Sequence, residues 1–349
     1  MSELLFSHPV SIVEAGNETH LVRGSNRFIV DEPSNGIALK IIIALTSNGI
    51  ALNDLLTEFA ETEREAVRSL VDALLSRKIL TKSEDLISPD PESPNDTFFW
   101  HFNLSRKDYV DRLDYAFVII VGINELSLEL TKILIKSGVS NLAHIDDPLL
   151  RNASFFDQAG IIDGFDAPLN IISSNNVSQW DNESTLLVVC SEFGTSYPVR
   201  AWNKLCVEAK IKMLPVILRE LRGFIGPIFH PDSSACFECL IAREQANTHS
   251  NVDNDLWTRF ESTMINKIAY TNAMIGTLAN IVAGEVIKIF TSIVMVPGNE
   301  LINVALIDPS IKRHPVYRVP RCPHCSPALW RPSLSIVKDE FKNKIIAGR

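Results

Sequence analysis

The sequence predicts an α/β domain built on a parallel sheet and preceded by a small α+β domain. From Tyr115 onward, continuous apolar runs alternate with helical patterns, and strands joined by helical crossovers pair in parallel. Before residue 83, three short β-prone runs are followed by three helical patterns. We therefore assign residues 1–82 to the first domain, 83–97 to a linker and 98–349 to the second domain.

The first domain has the element order of a winged helix. Its predicted strands span residues 8–14, 19–23 and 27–30, and its predicted helices span 37–45, 51–60 and 63–77. Turn residues around Gly16 and Gly24 separate the strands, and apolar residues recur at helical spacing in the last helix. The segment 83–96 contains three prolines among acidic residues, which is typical of an extended, solvated linker.

In the second domain, buried strands are predicted at residues 116–121, 142–145, 169–172, 185–189 and 213–217. Each is a short run of apolar residues, as expected for strands that are covered on both faces. Helical patterns at 126–136 and 199–209 separate some of them. This alternation gives a doubly covered parallel sheet.

Charge and hydropathy exclude several functions. The net charge of −9 argues against nucleic-acid binding, and residues 1–82 carry eight Lys and Arg against eleven Asp and Glu, which disfavours a DNA-binding winged helix. The apolar stretch 268–290 contains Glu285 and Lys288, so a buried helix explains it better than a membrane span. No signal peptide is recognised at the N-terminus, so we predict a cytoplasmic protein in a reducing compartment.

Two C-x-x-C pairs carry the most specific signal in the sequence. They are Cys236-Phe-Glu-Cys239 and Cys322-Pro-His-Cys325. A two-residue spacing lets one tight turn present two thiolates, and two such turns complete a tetrahedral zinc site. With four sulfur ligands no coordination position is left for substrate, so we predict a structural zinc. The alternative is a redox or unrelated pair, but the proline-rich surroundings of Cys322 do not fit a thioredoxin-like motif.

A second feature is the strand–turn–helix at residues 118–127. It contains Gly122, and a further predicted strand ends at Asp146, which is the layout of a dinucleotide or ATP fold. Asn124 and Ser127 stand where further glycines would let the backbone approach a phosphate. The sequence alone leaves open a Rossmann-like scaffold that binds no nucleotide.

Together these features resemble the adenylating superfamily that contains the ubiquitin-activating enzymes and ThiF, from about residue 115 to residue 327. The acids Asp146 and Asp147 match the family's pattern. Without gaps, the family's S-N-L-N-R-Q segment falls on residues 153–158, so that Asp157 replaces an arginine that contacts ATP phosphates. The family's D-x-T-D-N stretch, which supplies a magnesium-linked aspartate, falls on residues 189–193, with Val189 in its first place.

The resemblance implies a Rossmann-like, ThiF-type domain that keeps its zinc and has lost nucleotide contacts. The residues of this degraded nucleotide site are Gly122, Asn124, Ser127, Asp146 and Asp157. We therefore expect no use of ATP by this chain.

Among such proteins, the sequence is most similar to the ThiF-like partner proteins of thiazole/oxazole-modified peptide biosynthesis, which carry an N-terminal PqqD-like recognition element. The resemblance implies a non-catalytic scaffold that binds a precursor's leader peptide and presents it to a YcaO-type cyclodehydratase. A flavin dehydrogenase and a homodimer would belong to the same assembly. Two alternatives stay open: an ATP-dependent adenylyltransferase acting on a peptide or carrier-protein C-terminus, and a ThiF-like fold with an unrelated binding role.

A leader peptide would bind to the first domain as an added β-strand. The last predicted strand, formed by Arg27, Phe28, Ile29 and Val30, would offer its edge to the peptide. On the helix 63–77, Val71 and Leu75 would border the same groove. The alternative is that all of these residues belong to the core and that the linker covers the strand edge.

Overall fold

The computed structural model describes residues 4–16, 18–30, 33–83, 93–219, 221–247 and 270–326. The chain divides into two compact units, Met1–Leu113 and Asp114–Arg349. Most of the predicted linker, residues 84–92, lies outside the described part. At its C-terminal end, however, a helix begins at Pro94, where Ser93 and Asp96 form a reciprocal cap.

Unit 1 contains two small antiparallel sheets and a set of short helices. Its elements are β1 (Leu4–Ser7), β2 (Ser11–Ala15), β3 (Glu18–Arg23), β4 (Asn26–Val30), α1 (Pro33–Thr46), β5 (Ile50–Ala51), α2 (Leu52–Thr57), α3 (Arg64–Ser76), β6 (Leu80–Lys82), α4 (Pro94–Trp100) and α5 (Arg106–Tyr115). One sheet has the order β5–β1–β6 and the other β2–β3–β4. Strands β2, β3 and β4 were predicted. Strands β1, β5 and β6 were not, because runs of two to four residues are too short to show a period.

A buried acid ties α4 to α5. The carboxylate of Asp96 accepts hydrogen bonds from Arg106 Nε at 2.8 Å and from the Tyr109 hydroxyl at 2.7 Å. Burial works against this charge, but the hydrogen bonds from Arg106, Ser93 and Tyr109 hold the pKa of Asp96 well below its usual range. The ion pair therefore stays charged at neutral pH and fixes the end of unit 1.

The core of unit 1 lies between its sheets and helices. The largest side chains in it are fully or almost fully buried: Leu5, Leu21, Leu39, Ile42, Leu55, Ile79, Leu80 and Trp100. Val71 is 0% exposed and belongs to the same cluster, so the prediction that it borders a peptide groove is wrong. In so small a unit the apolar face of α3 is needed to complete the core. Leu75 is only partly buried.

Replacing Val71 with alanine should lower the free energy of unfolding by about 1–3 kcal/mol, because the lost methyl groups leave a space in a close-packed core. Ile29→Ala is the matched control: Ile29 is 52% exposed, so its truncation should cost less than about 0.5 kcal/mol. Urea denaturation followed by circular dichroism measures both. Equal losses from the two variants would contradict the burial of Val71.

Unit 2 is an α/β domain with a seven-stranded mixed sheet. Its elements are β7 (Phe117–Val121), α6 (Glu125–Lys136), β8 (Leu142–Ile145), β9 (Thr185–Ser191), α7 (Tyr197–Ala209), β10 (Lys212–Arg219), β11 (Arg222–Ile225), α8 (Phe237–Asn247), α9 (Asn272–Thr291), β12 (Glu300–Ala305) and β13 (Ser310–Pro315). The strand order is β13–β12–β11–β10–β9–β7–β8. Strands β8, β7, β9 and β10 pair in parallel, and β11, β12 and β13 continue the sheet antiparallel.

The α/β prediction is confirmed for this unit, with two differences. The predicted strand at residues 169–172 is reduced to an isolated bridge between Ile171 and His144. Its side chains are half-exposed, so the apolar run did not correspond to a buried strand. The antiparallel half of the sheet was not predicted, and in β13 the reason is a polar sequence that contains Lys312, Arg313 and His314.

The long apolar helix α9 belongs to the core of this unit. By length and composition it could span a membrane, yet one face of apolar side chains, from Met274 to Val286, is buried and the helix packs against α6. Glu285, in the middle of the helix, is buried and forms ion pairs with Lys288 and Arg313. A paired acid in a helix that packs on its own sheet is typical of a core helix.

Candidate functional site

The first candidate site lies where the order of the parallel strands reverses. Strand β7 is flanked by β8 and β9, and the chain leaves β7 to form α6 before returning as β8. In open α/β sheets, ligands bind at this position, outside the carboxyl ends of the strands. Gly122 follows β7, Asp146 follows β8 and Glu192 follows β9, so all three residues stand at this edge.

The turn after β7 requires a glycine at position 122. Its φ is +103°, a backbone conformation that favours glycine. A Cβ atom there would lie 2.9 Å from the carbonyl oxygen of Cys190 and 3.1 Å from Cβ of Leu150. The turn therefore passes tightly between the strands, as in nucleotide-binding folds of this type.

Asn124 and Ser127 stabilise the same turn with buried hydrogen bonds. Each caps the other: the Ser127 backbone N–H donates to Asn124 Oδ1 at 3.0 Å, and the Asn124 N–H donates to Ser127 Oγ at 2.9 Å. The Asn124 amide also donates to the carbonyls of Leu150 and Cys190 at 2.9 and 3.0 Å. Both residues are fully buried. Their side chains are thus committed to the fold and do not project towards a ligand, which corrects the prediction that they obstruct a phosphate.

Four donors converge on the carboxylate of Glu192. Its Oε2 accepts the backbone N–H of Glu125 at 2.7 Å and of Leu126 at 3.4 Å, both in the first turn of α6. Its Oε1 accepts from Asn152 Nδ2 at 2.5 Å and from the Tyr270 hydroxyl at 3.1 Å. The N-terminus of a helix, with its free N–H groups and positive dipole end, attracts anions. The cluster is therefore an anion-binding site that the protein fills with its own side chain.

Burial raises the pKa of Glu192, although the hydrogen bonds from Tyr270, Asn152 and the two backbone N–H groups oppose the shift. The residue is 0% exposed, so its charge has lost its hydration and depends on these four donors. None of Glu192, Asn152 and Tyr270 was predicted as a site residue. A signal for Glu192 was present, because it stands at the second acidic position of the family's D-x-T-D-N stretch.

The two predicted acids of this region behave differently. Asp146 accepts a bidentate pair of hydrogen bonds from Arg151, at 2.7 and 2.5 Å, beside the end of β8. Asp157 accepts the N–H groups of Ala159 and Ile161 at 2.9 and 2.8 Å, in a turn of its own loop. The gapless alignment therefore misses Arg151, the arginine that does lie beside the strand ends. The carboxylate of Asp157 therefore bonds within its own turn.

The second candidate site is the cysteine cluster. The Sγ–Sγ distances are 3.9 Å for Cys236–Cys239, 3.6 Å for Cys236–Cys322 and 3.5 Å for Cys239–Cys325. A tetrahedral zinc with Zn–S bonds of about 2.3 Å places its sulfurs about 3.8 Å apart, whereas a disulfide needs about 2.05 Å. All four side chains are at most 9% exposed. The cage therefore has the size and chemistry of a zinc site and could hold the ion.

His324 lies within the second cysteine pair but does not face the cage. Its Nδ1 is 2.9 Å from the Asn203 amide, which can donate to it. This hydrogen bond occupies the nitrogen, and the ligand atoms that cluster together are the four sulfurs alone among the described residues.

The predicted peptide-binding residues lie in unit 1. On β4, the side chains of Arg27 and Ile29 are exposed and those of Phe28 and Val30 are half-buried against the core. Arg27 Nε donates to His20 Nδ1 at 2.7 Å on the adjacent strand β3. In the described part of the chain, β4 pairs with β3 alone, so its other edge is unpaired there.

No protein-family profile matches the sequence, and no curated protein matches it. Several solved structures, in contrast, are similar to this chain. E. coli MccB with ATP has a TM-score of 0.62 and 16% identity, over 92% of this chain and 99% of that chain. The microcin C7 biosynthetic enzyme MccB with N-formylated MccA has a TM-score of 0.61 and 17% identity, over 93% and 99%. The chain has an MccB-like fold.

The heterocyclase TruD is also similar, with a TM-score of 0.64 and 14% identity, over 93% of this chain and 43% of that chain. These TM-scores, at such low sequence identity, show a shared fold and nothing more. Two predictions are overturned, because the MccB-like fold is that of a biosynthetic enzyme solved with ATP and with a peptide. The non-catalytic scaffold that presents a peptide to a cyclodehydratase is wrong, and so is the expectation that ATP is not used. Of the two alternatives left open by the sequence, the ATP-dependent one agrees better with a fold that has been solved with ATP.

We predict one zinc ion per chain, bound by the four thiolates. Cys236→Ala or Cys325→Ala should abolish zinc retention and give insoluble or loosely packed protein, because binding of a structural zinc contributes directly to folding. Cys206→Ala is the matched control, since Cys206 is equally buried but lies outside the cage. Mass spectrometry of the purified proteins measures the number of zinc ions per chain in the wild type and in each variant. A folded wild-type protein without zinc, with all four thiols open to titration, would refute the site.

Proposed function

We propose that this chain is an ATP-dependent adenylyltransferase that acts on the C-terminal carboxylate of a peptide or carrier protein. The observation that carries the proposal is the anion site at the N-terminus of α6. It lies at the switch point of a sheet whose fold is shared with an enzyme solved with ATP and with a peptide.

The donors of this site fit a phosphate group. The backbone N–H groups of Glu125 and Leu126, the Asn152 amide and the Tyr270 hydroxyl already bind a carboxylate, and phosphate oxygens accept the same kinds of hydrogen bond. A phosphate can accept from these donors only where Glu192 releases them, and the phosphate and the displaced carboxylate would then lie close together. Two anions share such a place only with a divalent cation between them. ATP is therefore expected to bind as its magnesium complex, with Glu192 as the protein's ligand to the metal.

Arg151 supplies the positive charge that the gapless alignment had missed. Its guanidinium is bound to Asp146 and lies over the ring of Phe156, with 4.5 Å from Cζ to the ring centroid. A planar arginine held in this way presents its remaining donors in a fixed direction.

In the proposed reaction a carboxylate oxygen of the peptide attacks the α-phosphorus of ATP. The bond between the α-phosphorus and the oxygen that bridges the α- and β-phosphates breaks, and pyrophosphate leaves with that oxygen. The peptide then carries AMP on its C-terminal carboxylate, in an acyl phosphate linkage.

The wild-type protein should bind ATP saturably in the presence of magnesium and release pyrophosphate when given a suitable peptide. Glu192→Gln should lower pyrophosphate release by about a hundredfold, because the amide no longer holds the cation that stabilises the phosphate charge. Calorimetry measures the binding. A coupled pyrophosphate assay, with a pooled library of heptapeptides that end in free carboxylates, measures the reaction.

Two controls accompany this experiment. The same peptides with amidated C-termini should be inactive, because adenylation needs the carboxylate. Asp157→Asn should leave ATP binding unchanged, since that carboxylate bonds only to its own turn among the contacts observed. Absence of ATP binding by the wild-type protein at millimolar concentration would reject the proposed function.

The peptide is proposed to be recognised in part by unit 1, through the edge of β4. An extended peptide can pair with a free strand edge, so that the main chain gives affinity and exposed side chains give selectivity. The unpaired edge of β4 and the exposed Arg27 and Ile29 support this placement. Several structures of MccB, a protein of the same fold, contain MccA peptide. The proposal does not include Val71, which belongs to the core.

Ile29→Pro should weaken the binding of an active library peptide at least about tenfold, because proline removes a backbone donor and distorts the edge. Val13→Pro is the matched control, since Val13 lies on the opposite edge strand β2 and is 51% exposed, against 52% for Ile29. General damage to the sheet affects both variants, and fluorescence anisotropy of a labelled peptide compares them. If both variants lost the same amount of peptide affinity, the edge of β4 would not be the binding site.

From the sequence resemblance we also propose that unit 1 is a PqqD-like domain and that the chain forms a homodimer in the cytoplasm. A YcaO-type enzyme or a flavin dehydrogenase is its proposed partner. A homodimer is checked by light scattering at micromolar concentration.

A further inference from the structure

Two polar side chains outside the cysteine cage each connect its two halves. The first half is the segment of Cys236 and Cys239 at the start of α8, and the second is the segment of Cys322 and Cys325 after β13. The halves are far apart in sequence, so the cage forms only if tertiary contacts bring them together. Arg318 and Asn203 make such contacts.

Arg318 uses three nitrogens of its guanidinium for this purpose. Its Nε donates to Ser326 Oγ at 3.0 Å and its Nη2 donates to the Cys325 carbonyl oxygen, both in the second half. Its Nη1 donates to the carbonyl oxygen of Asp232 at 3.1 Å, in the loop that leads into the first half. The rigid fork of an arginine suits a contact with several acceptors of fixed geometry.

Asn203, on α7, connects the same two halves from another side. Its Oδ1 accepts the backbone N–H of Phe237 at 2.8 Å, and its Nδ2 lies 2.9 Å from Nδ1 of His324. The residue is 0% exposed, so water does not compete for these bonds. Phe237 and His324 are the residues inside the two C-x-x-C turns, so each turn is held at its centre.

We infer that Arg318 and Asn203 are the positioning residues of the zinc site. They hold the two cysteine turns at the metal-binding distance, so that the protein sets the cage and the ion leaves slowly. Arg318 has a second effect: four thiolates around Zn²⁺ carry a net charge of −2, and its positive charge lies beside Cys325. The Val319 N–H, 3.3 Å from Cys239 Sγ, acts in the same direction.

The inference rests on the presence of zinc and not on the adenylation chemistry. Arg318→Ala and Asn203→Ala should each release zinc to a chromogenic chelator at least about tenfold faster than wild type, the order expected when a residue that orients metal ligands is removed. The double variant should be faster than either single one, because each residue spans the cage independently. Arg321→Ala, an exposed arginine next to Cys322, is the matched control and should release zinc at the wild-type rate.

A purely structural role predicts a different result. In that case the variants would melt at lower temperature with zinc bound but would release zinc at the wild-type rate below the transition, which would overturn the inference. Arg318→Lys keeps the charge and loses the fork, so it should fall between wild type and Arg318→Ala. If Arg318→Ala does not fold, Arg318→Lys and Asn203→Ala carry the test. A wild-type chain with no zinc to release would remove the basis of the inference and leave the proposed function untouched.

Discussion

The hydrogen bonds of one buried side chain, Asn124, determine the geometry of the candidate active site. Both of its amide hydrogens are used, on the carbonyls of Leu150 and Cys190, and its oxygen caps the first turn of α6. The turn after β7 is thereby tied to β9 and to the loop after β8. A buried amide that left one of these groups unsatisfied would cost about 1–3 kcal/mol, so the arrangement is sharply specified.

The position of Glu192 is a consequence of this arrangement. It lies two residues beyond Cys190, whose carbonyl is bound to Asn124, and its carboxylate reaches the N–H groups that the capped helix presents. The acid is buried without a positively charged side chain among its observed partners, and burial raises its pKa. Such a group is expensive to keep charged unless a cation joins it. In the proposed function, the divalent cation that accompanies ATP would supply this missing positive charge.

The zinc cage differs from the anion site, because its ligands are arranged to enclose an ion completely and leave no position for a substrate. Its sulfurs are held by turns that face inwards, and the polar residues around it are bonded to backbone groups of the cysteine segments. All four metal-binding positions are filled by protein. The two sites also lie at different parts of unit 2, since the cage joins α8 to the segment after β13 and the anion site joins β7, β9 and α6.

The sequence by itself determined the features that depend on local spacing. Buried parallel strands show as apolar runs, two C-x-x-C pairs show as zinc turns, and Gly122 shows as the turn after the first strand. Tertiary structure decided the features that depend on long-range contacts. Asn124 is a structural cap because Leu150 and Cys190, which are 26 and 66 residues away in sequence, lie beside it.

Val71 and Glu192 show why the two kinds of information differ. Both stood in patterns that the sequence displayed, an amphipathic helix and an acidic motif. A helical period says which residues share a face, but not how much of that face the rest of a small unit covers. A motif says that an acid is present, but not that a helix N-terminus from a distant part of the chain is directed at it. Burial and hydrogen bonding are properties of contacts between distant segments, and only the folded chain contains them.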